Sequence, residues 1–180
     1  MKKINTRERL LDSAFETFYK HGFQGANIAT ILSDVGINKG SMYHFFKSKK
    51  ELGLAVIKER IEKKLVDKYI KILSNETSLH LLFETLKNAP NTLPFGCPLN
   101  KMSQEMIYID NDFKKLLTEV YKEFETCIIK IFIQEKIKDP SVKARYLIST
   151  YEGALMIYHL NQNLNTYKES IQLLEQSLSA

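Results

Sequence analysis

The 180-residue sequence has few cysteines and no long apolar run, and these absences exclude several classes of protein. Its two cysteines, Cys97 and Cys127, lie thirty positions apart without a Cys-x-x-Cys motif, which argues against a zinc site or a disulfide framework. No segment approaches the ~18 consecutive apolar residues of a membrane-spanning helix, and the N-terminus lacks the apolar core of a signal peptide. We therefore expect a cytoplasmic protein with no membrane contact, no metal and no cofactor.

Motifs of common enzymes are also absent. The sequence has no Gly-x-x-x-x-Gly-Lys-Ser/Thr nucleotide loop, no His-Glu-x-x-His metal site and no Gly-x-Ser-x-Gly nucleophile turn. His80 and Glu84 lie four positions apart, but a metal site needs a third ligand, so a solvated pair explains them better. We expect that the protein is not an enzyme and has no catalytic residues.

The positive charge is concentrated in the first third of the chain. The 26 Lys and Arg against 21 Asp and Glu give a net charge of +5. Residues 1–60 hold eleven basic and six acidic side chains, whereas residues 61–180 hold fifteen of each. Residues 38–50 contain four lysines and no acidic residue, as expected of a surface that meets polyphosphate. A solvated lysine-rich face is the alternative interpretation.

Apolar residues recur at three- and four-residue spacing along the chain, which predicts an all-α fold of about nine helices. Thr6 is predicted to cap the first helix, and Asn27, Asn38 and Ser48 the second, third and fourth, with Glu51 completing a capping box at the fourth. Gly36 closes the second helix, so the pattern of short helix, glycine turn and short helix is typical of a helix-turn-helix. After that motif, the predicted helices span about 48–74, 79–89, 99–108, 110–136, 140–160 and 166–178.

The third predicted helix has one polar, basic and aromatic face. Burial of Met42, Phe45 and Phe46 leaves Lys39 and Tyr43 on the opposite side, where they can reach base edges or phosphates. Lys49, in the first turn of the following helix, is predicted to be a second phosphate clamp. The predicted DNA-binding residues are Asn27, Asn38, Lys39, Gly40, Ser41, Tyr43, His44, Lys47 and Lys49.

The segment from Phe23 to Leu52 resembles the DNA-binding part of TetR/AcrR-family transcriptional regulators. It carries the motif Gly-x-x-Lys-Gly-Ser-x-Tyr-x-x-Phe-x-x-Lys-x-x-Leu, which is more specific than a general helix-turn-helix. The resemblance covers about residues 6–55, and the runs 96–99 and 152–154 also resemble one branch of the family. It implies a DNA-binding helix-turn-helix domain at 1–47, followed by an effector-binding and dimerisation domain at 48–180.

The resemblance implies a ligand-responsive regulator, a repressor that binds an inverted-repeat operator in double-stranded DNA as a homodimer. A small hydrophobic or amphipathic effector would release it. Residues 146–160 have Glu152 as their one charged side chain, which favours a homodimer through the helices at about 141–161 and 166–178. A core helix of a monomer is the alternative. An architectural DNA binder without effector control would leave the long neutral part of the chain unexplained.

Aromatic and methionine side chains in the second part of the chain supply candidates for an effector pocket, although each is also suited to a core. Gln104, Glu105 and Glu152 are possible polar anchors. An alternative function is a thiol-based redox or electrophile-sensing repressor that uses Cys97, since the dipole of the following helix would lower its pKa. A small buried residue in a tight turn is the competing interpretation. The predicted effector residues are Phe83, Leu86, Met102, Met106, Tyr121, Phe124 and Tyr151.

Overall fold

The structure, a computed structural model, describes residues 5–76 and 78–179, and over these residues the fold is all-α without a strand, as predicted. Residues 1–4, Thr77 and Ala180, which fall within the predicted domain ranges, lie outside the described residues. The ten helices of the described residues are α1 (Thr6–His21), α2 (Ile28–Val35), α3 (Lys39–Tyr43), α4 (Lys49–Val56, Ile57–Glu62 and Lys63–Leu73, without a break), α5 (Ser78–Lys87), α6 (Ala89–Thr92), α7 (Pro98–Met106), α8 (Asn111–Gln134), α9 (Pro140–Asn161) and α10 (Leu164–Ser179).

Side-chain caps begin the first four helices. Asn27, Asn38 and Ser48 cap α2, α3 and α4 as predicted, each accepting a hydrogen bond from a backbone N–H of the first turn. The predicted cap of α1 is wrong by one residue, because Asn5 and not Thr6 provides the oxygen, at 3.2 Å from a backbone nitrogen. Polar residues with a short side-chain oxygen thus determine where these helices start.

Two helical features differ from the prediction. The middle of α4, Ile57–Glu62, is a π-helix, in which each hydrogen bond spans one more residue than in an α-helix. Val56 and Lys63 on either side keep right-handed helical backbone angles, so the helix continues through the segment. The stretch between the predicted helices at 79–89 and 99–108 includes most of the single turn of α6 (Ala89–Thr92), which accounts for ten helices where about nine were predicted.

The chain forms two compact units, of which the first comprises the described residues of 1–64 and 101–120. Here α1 packs against α2 and against the first part of α4. Phe23 links the aromatic core, with its ring centroid 5.2 Å from that of Phe18 and 4.8 Å from that of Phe113. Gly53 in α4 lies against the same rings, because a Cβ there would be 2.5 Å from Phe23 Cε2 and 2.9 Å from Phe113 Cζ.

The second unit comprises the described residues of 65–100 and 121–180. Its α10 packs against α9 and α5, and the buried hydroxyl of Tyr167 donates a hydrogen bond of 2.6 Å to the Leu86 carbonyl. The rings of Tyr69 and Phe124 lie 4.8 Å apart in the core. The predicted functional division into 1–47 and 48–180 does not coincide with these units and stays a prediction.

None of the helices in the described residues combines the length and the apolar character that crossing a membrane requires.

The close approach at Gly53 leads to a stability prediction. We expect Gly53→Ala to lower the free energy of unfolding by about 1–3 kcal/mol, because the methyl group must displace two buried rings. Gly153→Ala is the matched control, since a Cβ at this helical glycine meets no atom within 4 Å and alanine favours the helix. Urea unfolding measures the free energy of unfolding of both variants and of the wild type. Equal stability of Gly53→Ala and the wild type would contradict the close packing of Phe23 and Phe113 against Gly53.

Candidate nucleic-acid interface and effector residues

The short helix α3 is held to the first unit by two buried side chains. Met42 is 1% exposed and Phe46 2% exposed, whereas Phe45, also predicted to face inward, is half-buried. The helix is shorter than predicted, because Tyr43 is its last residue. His44 and Lys47 therefore lie in the turn that follows α3 and not on its helical face, although both are exposed.

The turn between α2 and α3 is fixed by backbone geometry. Gly36 has φ 72° and ψ 37°, the left-handed conformation that glycine adopts without strain. The N–H of Ile37 donates to the Leu32 carbonyl at 3.0 Å, and Arg9 Nη2 donates to the Val35 carbonyl at 2.6 Å. These bonds satisfy carbonyls at the end of α2 and define the direction in which the chain enters α3.

Three of the predicted DNA-contact residues also form hydrogen bonds at the starts of α2 and α3. Asn38 Oδ1 accepts hydrogen bonds from the backbone N–H of Ser41 at 2.8 Å and from its hydroxyl at 3.1 Å. Asn27 Oδ1 accepts from the N–H of Ala29 at 2.8 Å. Each cap uses the oxygen of the side chain, so within the described residues the side-chain N–H groups of both asparagines keep their donor capacity.

The exposed side of α3 and the following turn carries two amines, a phenol and an imidazole. Lys39 Nζ lies 6.0 Å from the centroid of the Tyr43 ring, and Tyr43 is 47% exposed. Gly40 is exposed as well, and a Cβ there would lie 3.3 Å from the capping oxygen of Asn38. With His44 and Lys47 nearby in sequence, this surface offers hydrogen-bond donors of the kind that contact phosphate oxygens and base edges.

Lys49, predicted to bind a phosphate, instead contacts groups of the protein itself. Its Nζ donates to the carbonyls of Ala26 at 2.6 Å and Gln24 at 3.3 Å, and it lies 4.9 Å from the centroid of the Phe23 ring. Burial lowers the pKa of the Lys49 amine, and the nearby Glu105 carboxylate opposes this effect. Lys49 thus binds the loop between α1 and α2, which the sequence prediction of a phosphate clamp did not anticipate.

The same loop is held from its amide side by Glu105 in α7. The Glu105 carboxylate accepts hydrogen bonds from the backbone N–H groups of Phe23 at 2.7 Å and Gln24 at 2.5 Å. The suggestion that Glu105 anchors an effector is therefore replaced by a structural role. Sequence reasoning missed this role because Glu105 and the loop are 82 positions apart, and no local pattern marks the contact.

The free positive charge of the motif is smaller than the sequence indicates. Lys50 Nζ lies 2.7 Å from Asp110 Oδ2 and 2.6 Å from Asp112 Oδ2, and these carboxylates raise the pKa of the Lys50 amine. Of the four lysines between residues 38 and 50, Lys49 and Lys50 bind groups of the first unit. Lys39 and Lys47 remain exposed, and their side-chain amines have no carboxylate partner in the described part of the chain, although the backbone N–H of Lys47 donates to Glu51 Oε2 at 2.7 Å.

The predicted effector residues are core residues. Six of the seven are buried, and Tyr121 is half-buried. Met102 and Met106 belong to the first unit and the other five to the second. None of the seven lines the open groove between α4, α5, α6 and α10 of the second unit. Their part in effector binding stays a prediction.

The expectation that the helix dipole lowers the pKa of Cys97 is wrong. Burial raises the pKa of the Cys97 thiol well above its usual value, and the adjacent Glu152 carboxylate adds to the effect. The N–H groups of Leu99 and Asn100 act in the predicted direction but are outweighed. Glu152 itself accepts a hydrogen bond of 3.0 Å from the Asn100 amide, and burial raises its pKa. A reactive cysteine requires the thiolate form, which this environment disfavours.

Known proteins resemble this chain in sequence and in fold. The sequence model described as "Bacterial regulatory proteins, tetR family" matches residues 10–56. The HTH-type transcriptional regulator in the lacX 3′ region of Lactococcus lactis subsp. lactis is 30% identical over 184 residues, covering 96% of this chain and 93% of that protein. The HTH-type transcriptional repressor NemR of Escherichia coli strain K12 is 36% identical over 53 residues, covering 29% of this chain and 27% of NemR.

The crystal structure of a TetR transcriptional regulator from Legionella pneumophila has the same fold, with a TM-score of 0.87 at 18% sequence identity. The match covers 99% of this chain and 100% of that one. The helix-turn-helix geometry, the family match and the relative of similar length agree with one another. The chain belongs to the TetR family of DNA-binding transcriptional regulators, which are not enzymes.

Proposed function

We propose that this regulator is a repressor that binds an inverted-repeat operator as a homodimer and leaves it when a small effector binds. The observation that carries the proposal is the exposed surface of α3 and its following turn, with Lys39, Tyr43, His44 and Lys47. No acidic residue lies between positions 36 and 50, and the exposed carboxylate that follows, Glu51, accepts a hydrogen bond from the backbone N–H of Lys47 at 2.7 Å. Repression is supported by the relative NemR, which is a transcriptional repressor.

The proposed contacts divide by chemistry. Lys39 and Lys47 supply the charge that neutralises phosphates, and the Tyr43 hydroxyl donates to a phosphate oxygen. The side-chain amides of Asn27 and Asn38 donate from the two helix starts, where the helix dipoles also favour anions. Gly40, Ser41 and His44 complete the surface that meets the groove. Lys49 contributes by holding the loop between α1 and α2.

An apolar stripe on α9 supports the proposed homodimer. Val142, Tyr146, Ile157 and Leu160 follow one face of the helix and are 60%, 48%, 47% and 78% exposed within one chain. Gly153 lies on the same face, and a Cβ there meets no atom within 4 Å. Apolar surface of this extent is costly to leave in water, and a small residue at its centre allows close approach of a second helix. We propose that α9 and α10 form the interface, within the predicted ranges 141–161 and 166–178.

Release by an effector follows from linkage between two ligands. An effector that binds more tightly to the conformation unable to hold the operator shifts the population toward that conformation. Because the coupling is reciprocal, the effector weakens operator binding by the same free energy by which the operator weakens effector binding. We place this effector in the part of the chain predicted to bind it, 48–180. The environment of Cys97 disfavours thiol sensing, because burial raises the pKa of the thiol and a reactive cysteine requires the thiolate.

Selection of bound sequences from a randomised duplex pool, with native mass spectrometry of the complex, tests this function. We expect an inverted repeat bound by two subunits or a multiple of two, with half-site centres ~34–36 Å apart. Recovery of no enriched sequence, or of a single half-site bound by one subunit, would refute the proposed mode of operator binding.

The selected operator then allows a test of the phosphate contacts. We expect Lys39→Ala to weaken binding and to reduce the slope of log affinity against log salt by about one unit, because one counterion fewer is released. Lys138→Ala, which removes an exposed lysine far along the chain, is the control and leaves the slope unchanged. For Lys49→Ala we expect an unchanged slope and reduced thermal stability. A reduced slope in this variant would return Lys49 to the phosphate contacts.

The proposed interface is tested at Gly153. A leucine there meets no atom of its own chain near Cβ but fills the space that a second helix requires, so we expect Gly153→Leu to shift the protein from dimer to monomer. Gly153→Ala is the conservative control and remains dimeric. Circular dichroism confirms the fold of both variants, and analytical ultracentrifugation gives their masses. A dimeric Gly153→Leu protein at the same concentration as the control would exclude this helix face.

A further inference from the structure

The second unit contains an open groove of about 810 Å³ that none of the predicted effector residues lines. Side chains from α4, α5 and α10 contribute to its walls, together with α6 and the residues on either side of that short helix. Three of its lining residues are lysines, Lys68, Lys87 and Lys168, and one is acidic, Glu84. The groove therefore carries an excess of positive charge.

Only one of the three lysines is neutralised by protein carboxylates. Lys87 Nζ lies 3.2 Å from Glu84 Oε1 and 2.9 Å from Glu175 Oε2. Lys68 and Lys168 have no hydrogen bond or ion pair to a carboxylate within the described residues. The acidic residue of the groove, Glu84, is thus already engaged, and Lys68 and Lys168 line the groove without a carboxylate partner among the described residues.

Lys68 is the more informative of these two amines. It lies in the last part of α4 and is half-buried, with its Nζ 5.6 Å from the centroid of the neighbouring Tyr69 ring. Burial lowers the pKa of the Lys68 amine, because its charged form has lost hydration, and the nearby Cys97 sulfur opposes this effect without cancelling it. An anionic group in the groove would supply the missing interaction.

The groove also offers apolar surface. Leu81 in α5 and Leu93 after α6 are half-buried residues that line the groove. Thr85 and Thr92, which lie between them in the sequence, also line it. A ligand that contacts both the amines and the leucines needs a charged end and a hydrocarbon part. The volume is within the range of about 300–1,000 Å³ that small-molecule sites occupy.

We infer that this groove binds a small amphipathic anion, whose carboxylate or phosphate is held by Lys68 and Lys168 and whose hydrocarbon part lies against Leu81 and Leu93. The site is separate from the buried residues that the sequence indicated for the effector. The binding itself is independent of operator control, whereas a role of the anion as the effector rests on the proposed function.

Calorimetric titration of the full chain without DNA tests the inference. The probes are octanoate, octyl phosphate and the neutral octanamide, which share a chain length and differ in the head group. We expect at least one of the two anions to bind, and octanamide to bind about tenfold more weakly or not at all. The reason is that the neutral amide cannot form the charged hydrogen bond with a lysine amine that each anion forms. The stronger of the two anions identifies the preferred head group.

The variant Lys68→Met removes the charge and keeps most of the side-chain length. We expect about a tenfold or larger loss of anion affinity, whereas Lys71→Met, an exposed lysine of the same helix that does not line the groove, stays within about twofold of the wild type. Lys68→Met should melt at the same temperature as the wild type or higher, because it removes an incompletely solvated charge. Lys168→Met, at an exposed position, provides a second variant with the same expected direction.

Three results would overturn the inference: neither anion binds, octanamide binds as tightly as octanoate, or Lys68→Met and Lys168→Met both keep the full affinity. A second measurement, operator binding with and without the bound anion, separates the site from the proposed function. Anion binding that leaves operator affinity unchanged supports the groove and removes its effector role. Failure to find an operator bears on the proposed function alone.

Discussion

The geometry of the proposed DNA-binding surface depends on the anchoring of α3, a helix too short to be stable by itself. With five residues, α3 is well below the length of about 12 residues at which an isolated helix becomes even marginally stable in water. Burial of Met42 and Phe46 stabilises it, at roughly 1.5–3 kcal/mol for each fully buried side chain, and Asn38 fixes its first turn. The exposed residues on its other side keep their positions only while these contacts hold. Two buried core residues thus determine how Lys39 and Tyr43 are presented to solvent.

The lysines near this helix divide into two groups with different physical roles. Lys49 and Lys50 are bound by groups of the first unit, and their charge is used to fix backbone and helix ends. The loop between α1 and α2 is the clearest case, since Lys49 binds its carbonyls and Glu105 its N–H groups, so a short irregular segment has its polar groups satisfied. Lys39 and Lys47 keep their charge in solvent. A count of basic residues therefore overestimates the charge that the motif can offer to a polyphosphate.

The sequence predicts most helices and the caps at Asn27, Asn38 and Ser48, because these features act through bonds to neighbours within three residues. Exposure of Lys39 and Tyr43 follows from the same local periodicity. Features that depend on distant partners are not predictable in this way. The Lys49 and Glu105 contacts join residues separated by 23 and 82 positions, and Lys68 and Lys168, which share one groove, are 100 positions apart. For Cys97, the sequence predicts that a helix starts just after it, but it does not predict the burial that raises the pKa of its thiol.

Uncharged side chains cap the first four helices, although at α4 the Glu51 carboxylate also accepts a hydrogen bond from the backbone N–H of Lys47. Asn5, Asn27, Asn38 and Ser48 begin the first four helices, although aspartate caps a helix about as well as asparagine or serine. An aspartate at Asn27 or Asn38 would satisfy the same N–H groups, but its negative charge would cancel the positive end of the helix dipole and repel an approaching anion. An amide satisfies the backbone and preserves that field. Under the proposed function, asparagine and aspartate are therefore not interchangeable at the starts of α2 and α3, and the choice of capping residue becomes part of anion recognition.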